Sequence, residues 1–487
     1  MNYLLALDQG TSSTRAMLYN TQGELIASSQ LALTQHYPQS GWVEHDPEEI
    51  WQSTLTVLGN VVSKVPAQDI LACGITNQRE TTVIWNKKTG ECLAPAIVWQ
   101  DRRTEDYCKS LQNHASMIQQ KTGLLPDPYF SASKLHWLLK NNQQAKELAL
   151  KGDLAFGTID SFLIWRMTKG AHLTDITNAS RTMLFNINSE QWDQELLDLF
   201  AIPASVLPEV HSSDHHFGVI AKEHLGIELP ITGVAGDQQA ALIGQGCLQD
   251  GMAKATFGTG GFLLLNTGDK PVFSQHKLLT TIAYKIKERT VYGLEGSIYH
   301  AGTTVKWLRD ELKVIVSSAE TETLAQSLSS NEGVYFVSSF TGLGAPHWLS
   351  TPGAIMVGLS RSSNKAHFAR AALEGVCYQT REILECMRED SQIDLSILRV
   401  DGGMAANNWF LQFLADQCQV KIQKPKDIET TAKGAAVLAG IGYGVYSSFK
   451  ELDSIWQSEN EFISIRAKSE IEFDYQGWLV ALNKIKN

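Results

Sequence analysis

Two stretches half a chain apart follow one plan, and that duplication limits what the chain can become. In the first, the apolar run Leu4 to Leu7 meets Asp8 and then "QGTSSTR", before Ala16 to Tyr19 resumes an apolar stretch. The pattern reads as a buried strand, a polar loop and a second strand. "NTQG" is then a turn and "ELIASS" a third strand. The second stretch, "MAKATFGTGGFLLLNTG" (252–268), again runs strand, Gly-Thr-rich loop, strand and turn, with Gly258-Thr259 in the place of Gly10-Thr11. Both loops are dense in backbone N–H and hydroxyl donors, and the first has a carboxylate at its edge. Such a loop suits an anion that brings a divalent cation with it. For either loop alone, an ordinary hairpin with a polar tip is the alternative. Together they point to a duplicated domain holding phosphate from both sides.

Elsewhere, strand-like runs alternate with amphipathic helices, the pattern of an α/β protein. "PEEIWQSTLTVLGNVVSKV" (47–65) reads as a helix with Pro47 in its first turn and Asp46 as N-cap, and "DILACGIT" as the strand after it. Residues 364–390 carry apolar side chains at helical spacing over several turns. A third loop, "LRVDGGMAANNWFLQFLADQC" (398–418), passes from strand to helix through two glycines, which lets backbone approach a ligand closely beside a helix N-terminus. "TTAKGAAVLAG" (430–440) opens a further helix whose small residues allow tight packing. Neither G-x-x-x-x-G-K-[ST] nor G-x-G-x-x-G occurs, so a nucleotide would have to bind through some other loop.

Composition narrows the class. The 487 residues allow two or more domains with separate cores. A formal net charge of -11 gives no electrostatic case for nucleic acid or for an anionic membrane. The 7 cysteines are scattered without a C-x-x-C pair and read as reduced thiols of a cytosolic protein. No signal peptide is evident, and the best membrane candidate, residues 435–446, is too short and glycine-rich to span. A soluble, cytoplasmic protein without stable membrane association is the expectation.

"ALDQGTSSTR", "GWVEHDP", "GITNQRETTVIW", "AIVWQDRRT", "DPYFSASKLHWLL", "TDITNASRTMLFNI", "AGDQQAALIGQ", "FGTGGFLLLNTG", "GLGAPHW" and "VDGGMAANN" occur in this order. Together they closely resemble the glycerol kinases, a branch of the FGGY carbohydrate kinases within the actin-like ATPase superfamily. The two broad FGGY patterns, around 129–141 and 354–374, establish only a polyol or sugar kinase. "NQRET", "WQDRRT", "DPYF" and "GDQQAA" carry the narrower reading.

The resemblance implies an α/β fold of two actin-like (ribonuclease H-like) domains, residues 1–246 and 247–487, with an active-site cleft between them. It implies transfer of the γ-phosphoryl group of MgATP to glycerol, giving sn-glycerol 3-phosphate and ADP in glycerol catabolism. Asp8 would position Mg²⁺ through water, with Asp237 as the second metal-side carboxylate. Thr11, Ser12, Ser13 and Arg15 would line the phosphate path. Thr259, Gly302, Gly403 and Asn407 match nucleotide-contacting positions, as does Lys306, where family members commonly carry Gln. Lys433 also departs from the family, which usually has a small or apolar residue there. A homodimer or homotetramer is implied as well.

For the polyol, the chemistry makes sense on its own terms. A three-carbon triol needs donors and acceptors for its hydroxyls and apolar surface for its carbons. Arg79 can donate, Glu80 can accept and Tyr129 can do either, while Trp99 and Phe262 offer an apolar wall. By similarity, Gln238 contacts glycerol and Asp237 takes the proton of the attacking hydroxyl. "DRR" (101–103) reads instead as a structural or interdomain salt-bridge cluster. Two alternatives stay open: an FGGY kinase for another polyol or a ketose, and a non-catalytic nucleotide-binding regulator on the same fold.

Overall fold

Each duplicated hairpin seeds a sheet. The computed structural model describes residues 1–349, 353–447, 451–452 and 455–486. In the first half the strands are β1 (Tyr3–Gln9), β2 (Ser13–Asn20), β3 (Leu25–Ala32), β4 (Ile70–Asn77), β5 (Gly218–Ile220) and β6 (Leu229–Gly236), in the order β5-β6-β4-β1-β2-β3. The second half contributes β7 (Met252–Phe257), β8 (Gly261–Gly268), β9 (Leu279–Ile286), β10 (Arg289–Ile298), β11 (Ile397–Asp401), β12 (Lys421–Pro425) and β13 (Ser458–Phe462). Their order, β9-β10-β8-β7-β11-β12-β13, read from the far edge repeats the spatial order of the first sheet with β9 added, although the edge strand β13 follows β12 in the chain whereas β5 precedes β6. Pairing senses repeat too: β1 and β4 are parallel, as are β7 and β11, while β1–β2 and β7–β8 are antiparallel. The duplication read from two loops thus extends through both sheets.

The first strands are apolar without alternation because both faces of the sheet are covered. Leu5, Leu7, Ala16 and Leu18 pack against α1 (Pro47–Val62) and the helix Ile159–Thr168. Their neighbours Leu4, Ala6, Met17 and Tyr19 face the opposite way, into a core shared between the halves. Asp46 caps α1 by accepting from the Glu48 N–H at 2.9 Å. That helix ends at Val62, three residues before the periodicity does, because Pro66 disfavours helical backbone just ahead of itself.

The shared core is built on α2 (Asp237–Gly244), which follows β6, and its counterpart α6 (Thr430–Tyr443), which follows β12. Between them in sequence lie α3 (Gly302–Asp310), α4 (Lys365–Ser391) and α5 (Asn408–Cys418). Although α6 belongs to the second half, it lies across β1, β4 and β6 of the first. Glycines make this possible. A Cβ on Gly434 would stand 1.8 Å from the Ala240 carbonyl oxygen, and one on Gly74 would stand 2.0 Å from that of Ala435. Neither obstacle is a flexible side chain. Gly74→Ala is therefore expected to cost about 1–3 kcal/mol through overpacking, read as a lower Tm in thermal unfolding. An unchanged Tm would mean that α6 can slide on the sheet.

Among the described residues, no helix is long and apolar enough to cross a membrane.

Candidate active site

The ends of β1, β4, β6, β7 and β11 meet where the two halves face each other. Asp8 is the next-to-last residue of β1 and pairs in register with Arg15 of β2, so their side chains share a face. The Arg15 guanidinium bonds both Asp8 and Glu429, the residue before α6. Burial pushes the Asp8 carboxyl up from its ordinary value, Arg15 pulls it back, and the charge of Asp237 pushes it up again. In the hairpin turn, Gly10 N–H donates to the Ser13 carbonyl at 2.9 Å, and Ser13 Oγ accepts from Gln30 at 2.9 Å. Ser12 is exposed, and Thr11 Oγ1 accepts from the Trp99 indole N–H at 2.9 Å.

Across the cleft, Thr259 sits in the exposed loop between β7 and β8. Gly302 opens α3 and donates its N–H to the Gly258 carbonyl at 3.0 Å, while the Thr303 hydroxyl donates to the Thr259 carbonyl at 2.9 Å. A Cβ on Gly302 would lie 2.5 Å from Gly258 O, so glycine alone permits this approach. The β11–α5 loop closes on the same place: Gly402, at φ +86°, has no room for a Cβ beside the Phe257 backbone. Gly403 follows it, and Asn407 caps α5 by accepting from Phe410 N–H at 2.9 Å. Lys306 is exposed further along α3. Lys433 stands apart from these loops, with Nζ donating to the Ile455 carbonyl at 3.2 Å.

Most of the polyol-type residues come from the first half. Glu80 lies just beyond β4 with φ +60°, a left-handed conformation uncommon for a residue with a side chain. Thr81 N–H donates to the Arg79 carbonyl at 2.6 Å, closing a three-residue turn around it. The surroundings hold that strained turn: Ser131 donates to the Glu80 carbonyl at 2.9 Å, and Arg181 Nε donates to the Glu80 carboxylate at 2.7 Å. Arg79 is 3 % exposed. Its Nε stands 3.1 Å from Asp237 Oδ1, its two Nη groups grip Glu295 of β10, and Nη2 lies 3.4 Å from the Tyr129 hydroxyl. Trp99 packs edge-on to Tyr129 and Phe262, with ring centroids 5.5 and 6.1 Å away. Phe262 comes from β8, so both halves contribute to the aromatic wall.

Asp237 occupies the junction of β6 and α2 and keeps 28 % of its side chain exposed. Burial raises its pKa above the usual carboxylate value, against the pull of Arg79 and then Lys254. Gln238 next to it is buried and accepts from Lys254 Nζ. That amine, on β7, also donates to Thr256 Oγ1 at 3.1 Å, and burial lowers its pKa to about 8. Asp8, near the end of β1, and Asp237, at the start of α2, are two carboxylates close enough for the charge of Asp237 to raise the Asp8 carboxyl. Among the described residues, no group of three or more His, Cys, Asp and Glu converges to hold a metal unaided. The pair fits Mg²⁺, which commonly takes one or two carboxylates and completes its shell with water and substrate phosphates.

Sequence reasoning missed Arg181, Lys254, Glu295 and Glu429. Glu295 and Lys254 each carried one signal, a charge set in an apolar stretch of its strand. Asp101 and Arg103 form a structural cluster inside the first half. Arg103 bonds Asp101 at 2.8 Å and Glu44 at 2.7 Å beneath the Trp42 ring.

Residues 3–244 match the N-terminal domain of the FGGY family of carbohydrate kinases, and residues 253–443 match its C-terminal domain. A glycerol kinase of Ectopseudomonas mendocina is 49% identical over 490 residues, covering 100% of this chain and 99% of its own length. One of Chromobacterium violaceum is 50% identical over 489 residues, covering 99% of this chain and 98% of its own. The crystal structure of Plasmodium falciparum glycerol kinase with ADP superposes with a TM-score of 0.94 at 39% identity, over 99% of this chain and 98% of that one. With both halves matched and the relatives aligned end to end, the chain belongs to the FGGY family of carbohydrate kinases and has its two-domain, actin-like fold.

Proposed function

We propose that the protein is a glycerol kinase, transferring the γ-phosphoryl group of MgATP to a terminal hydroxyl of glycerol to give sn-glycerol 3-phosphate and ADP in glycerol catabolism. One observation carries the reading: Arg79 stands beside Asp237 and reaches Tyr129, whose ring leads through Trp99 to Phe262, in a chain about half identical to curated glycerol kinases along its length. Arg79, Glu80, Tyr129 and Gln238 take the role of hydroxyl partners, and Trp99 and Phe262 that of the apolar wall. Trp99 does a second thing that its apolar character hid, since its indole N–H tethers Thr11. Polyol and phosphate loops are thereby joined through one side chain.

Asp237 accepts the proton of the attacking hydroxyl as oxygen bonds to the γ-phosphorus and the bond to ADP breaks. Its raised pKa improves it as an acceptor. Asp8, through water, and Asp237 would hold Mg²⁺, which when bound neutralises charge on the phosphates. Thr11, Ser12, Ser13 and Arg15 would meet the transferred phosphate. Thr259, Gly302, Lys306, Gly403 and Asn407 would meet the rest of the nucleotide. In this reading the chain divides at Gly246: residues 1–246 carry most of the polyol side, with Phe262 added from the second half, and residues 247–487 carry the nucleotide side. A cytoplasmic setting and a homodimeric or homotetrameric assembly go with it.

A coupled ADP-release assay tests the proposal. Release should depend on glycerol, with erythritol and xylulose turned over far more slowly. Faster turnover of xylulose would transfer the assignment to a ketose, and nucleotide binding without turnover would make the protein a regulator.

A further inference from the structure

Five ionisable side chains, acid and base in turn, stand in a row through the base of the polyol site. Glu80 accepts from Arg181 Nε at 2.7 Å, and Arg181 Nη2 donates to Glu295 Oε1 at 2.8 Å. Arg79 Nη2 donates to that same oxygen at 3.1 Å, Arg79 Nη1 bonds Glu295 Oε2, and Arg79 Nε stands 3.1 Å from Asp237. The central side chain, Glu295, is 0% exposed and is the only one of the five from the second half. Burial would push its carboxyl up, yet Arg181 and Arg79 hold it below the ordinary value. Arg181 is itself fully buried and contacts both acids with one planar guanidinium, with the ring of Phe130 5.4 Å away.

We propose that Glu295 and Arg181 are positioning residues of the polyol site, Arg181 fixing Glu80 and Glu295 fixing Arg79, so that the site is complete only with the two halves in register. The geometry explains why these residue types are needed. Both carboxylate oxygens of Glu295 are engaged by arginine donors; an amide would turn its own N–H₂ group toward one of them. Lys at 181 would keep the charge but lacks the planar fork that serves two acids at once. Glu80, in its left-handed turn, would then lose the side-chain bond that holds it there.

The inference rests on the glycerol kinase reading, and the experiment separates the two. Steady-state kinetics of the full chain, Glu295→Gln and Arg181→Lys are measured with glycerol and with ATP varied in turn. Glycerol turnover by the unaltered protein tests the kinase reading itself; without it, that reading and this inference fall together. Given turnover, each variant should raise KM for glycerol about tenfold and leave KM for ATP within about twofold. Arg181→Lys, which keeps the buried charge, serves if Glu295→Gln folds poorly. An unchanged glycerol KM in the folded variants overturns the inference. So does an equal rise in both KM values, because a purely structural role at the domain contact would weaken both substrates alike.

Discussion

Asp237→Asn is expected to lower kcat by about 10²–10⁴-fold, the usual worth of general-base catalysis, while glycerol Kd changes little. The carboxylate stands at the C-terminal end of β6 where the chain turns into α2, a common place for a ligand-facing group in an α/β fold. Its Oδ1 accepts from the Gln238 N–H at 2.7 Å and faces Arg79 Nε at 3.1 Å. An amide of the same shape keeps an oxygen for both donors and can still hydrogen-bond a hydroxyl. What it cannot do is take the proton that the nucleophile releases as the new bond to phosphorus forms. The competing account is that Asp237 only anchors the start of its helix, for which Asn substitutes with almost no loss. Measuring kcat together with glycerol Kd by calorimetry distinguishes them. Near-normal turnover would remove Asp237 from the mechanism.

The sequence made the local elements legible and left their long-range partners hidden. The hairpins from Leu4 and from Met252, the Asp46-capped helix and the helix opening at Thr430 could all be read because each is specified by nearby residues. The small residues of "TTAKGAAVLAG" announced close packing, but nothing local says that Gly434 meets Ala240 or that Ala435 meets Gly74. Those contacts decide that a helix of the second half covers the sheet of the first. The candidate site divides the same way. Arg79, Tyr129, Trp99 and Asp237 were found through their motifs and do come together. Their counter-charges were not, because a single Glu in "YGLEGSIY" indicates burial with some partner without saying which. Arg181 lay in a quoted motif, "NASRTMLF", yet the motif alone gave it no role. Nor did the sequence disclose that Glu80 sits in a strained turn, since a left-handed φ on a residue other than Gly or Asn has no compositional mark.

Arg79→Ala is expected to raise KM for glycerol about ten- to hundredfold, following from about 1–3 kcal/mol for the polar groups it leaves unpaired. Alanine removes two charge-assisted bonds to Glu295, the approach to Asp237 and the contact with the Tyr129 hydroxyl in one step. Glu295 would keep Arg181 as a partner, so its buried charge is only partly exposed to the full penalty of isolation. That distinction sets the form of the result. Were Arg79 chiefly a strut between the halves, both substrates would bind less well and Tm would fall steeply. As a group facing the polyol, it should affect glycerol far more than ATP, with a more modest loss of Tm from the unpaired acids. ATP binding measured without glycerol, glycerol KM at saturating ATP and thermal unfolding of the same preparation separate the two roles. Equal weakening of both substrates would return Arg79 to the domain contact and leave hydroxyl recognition to Glu80 and Tyr129.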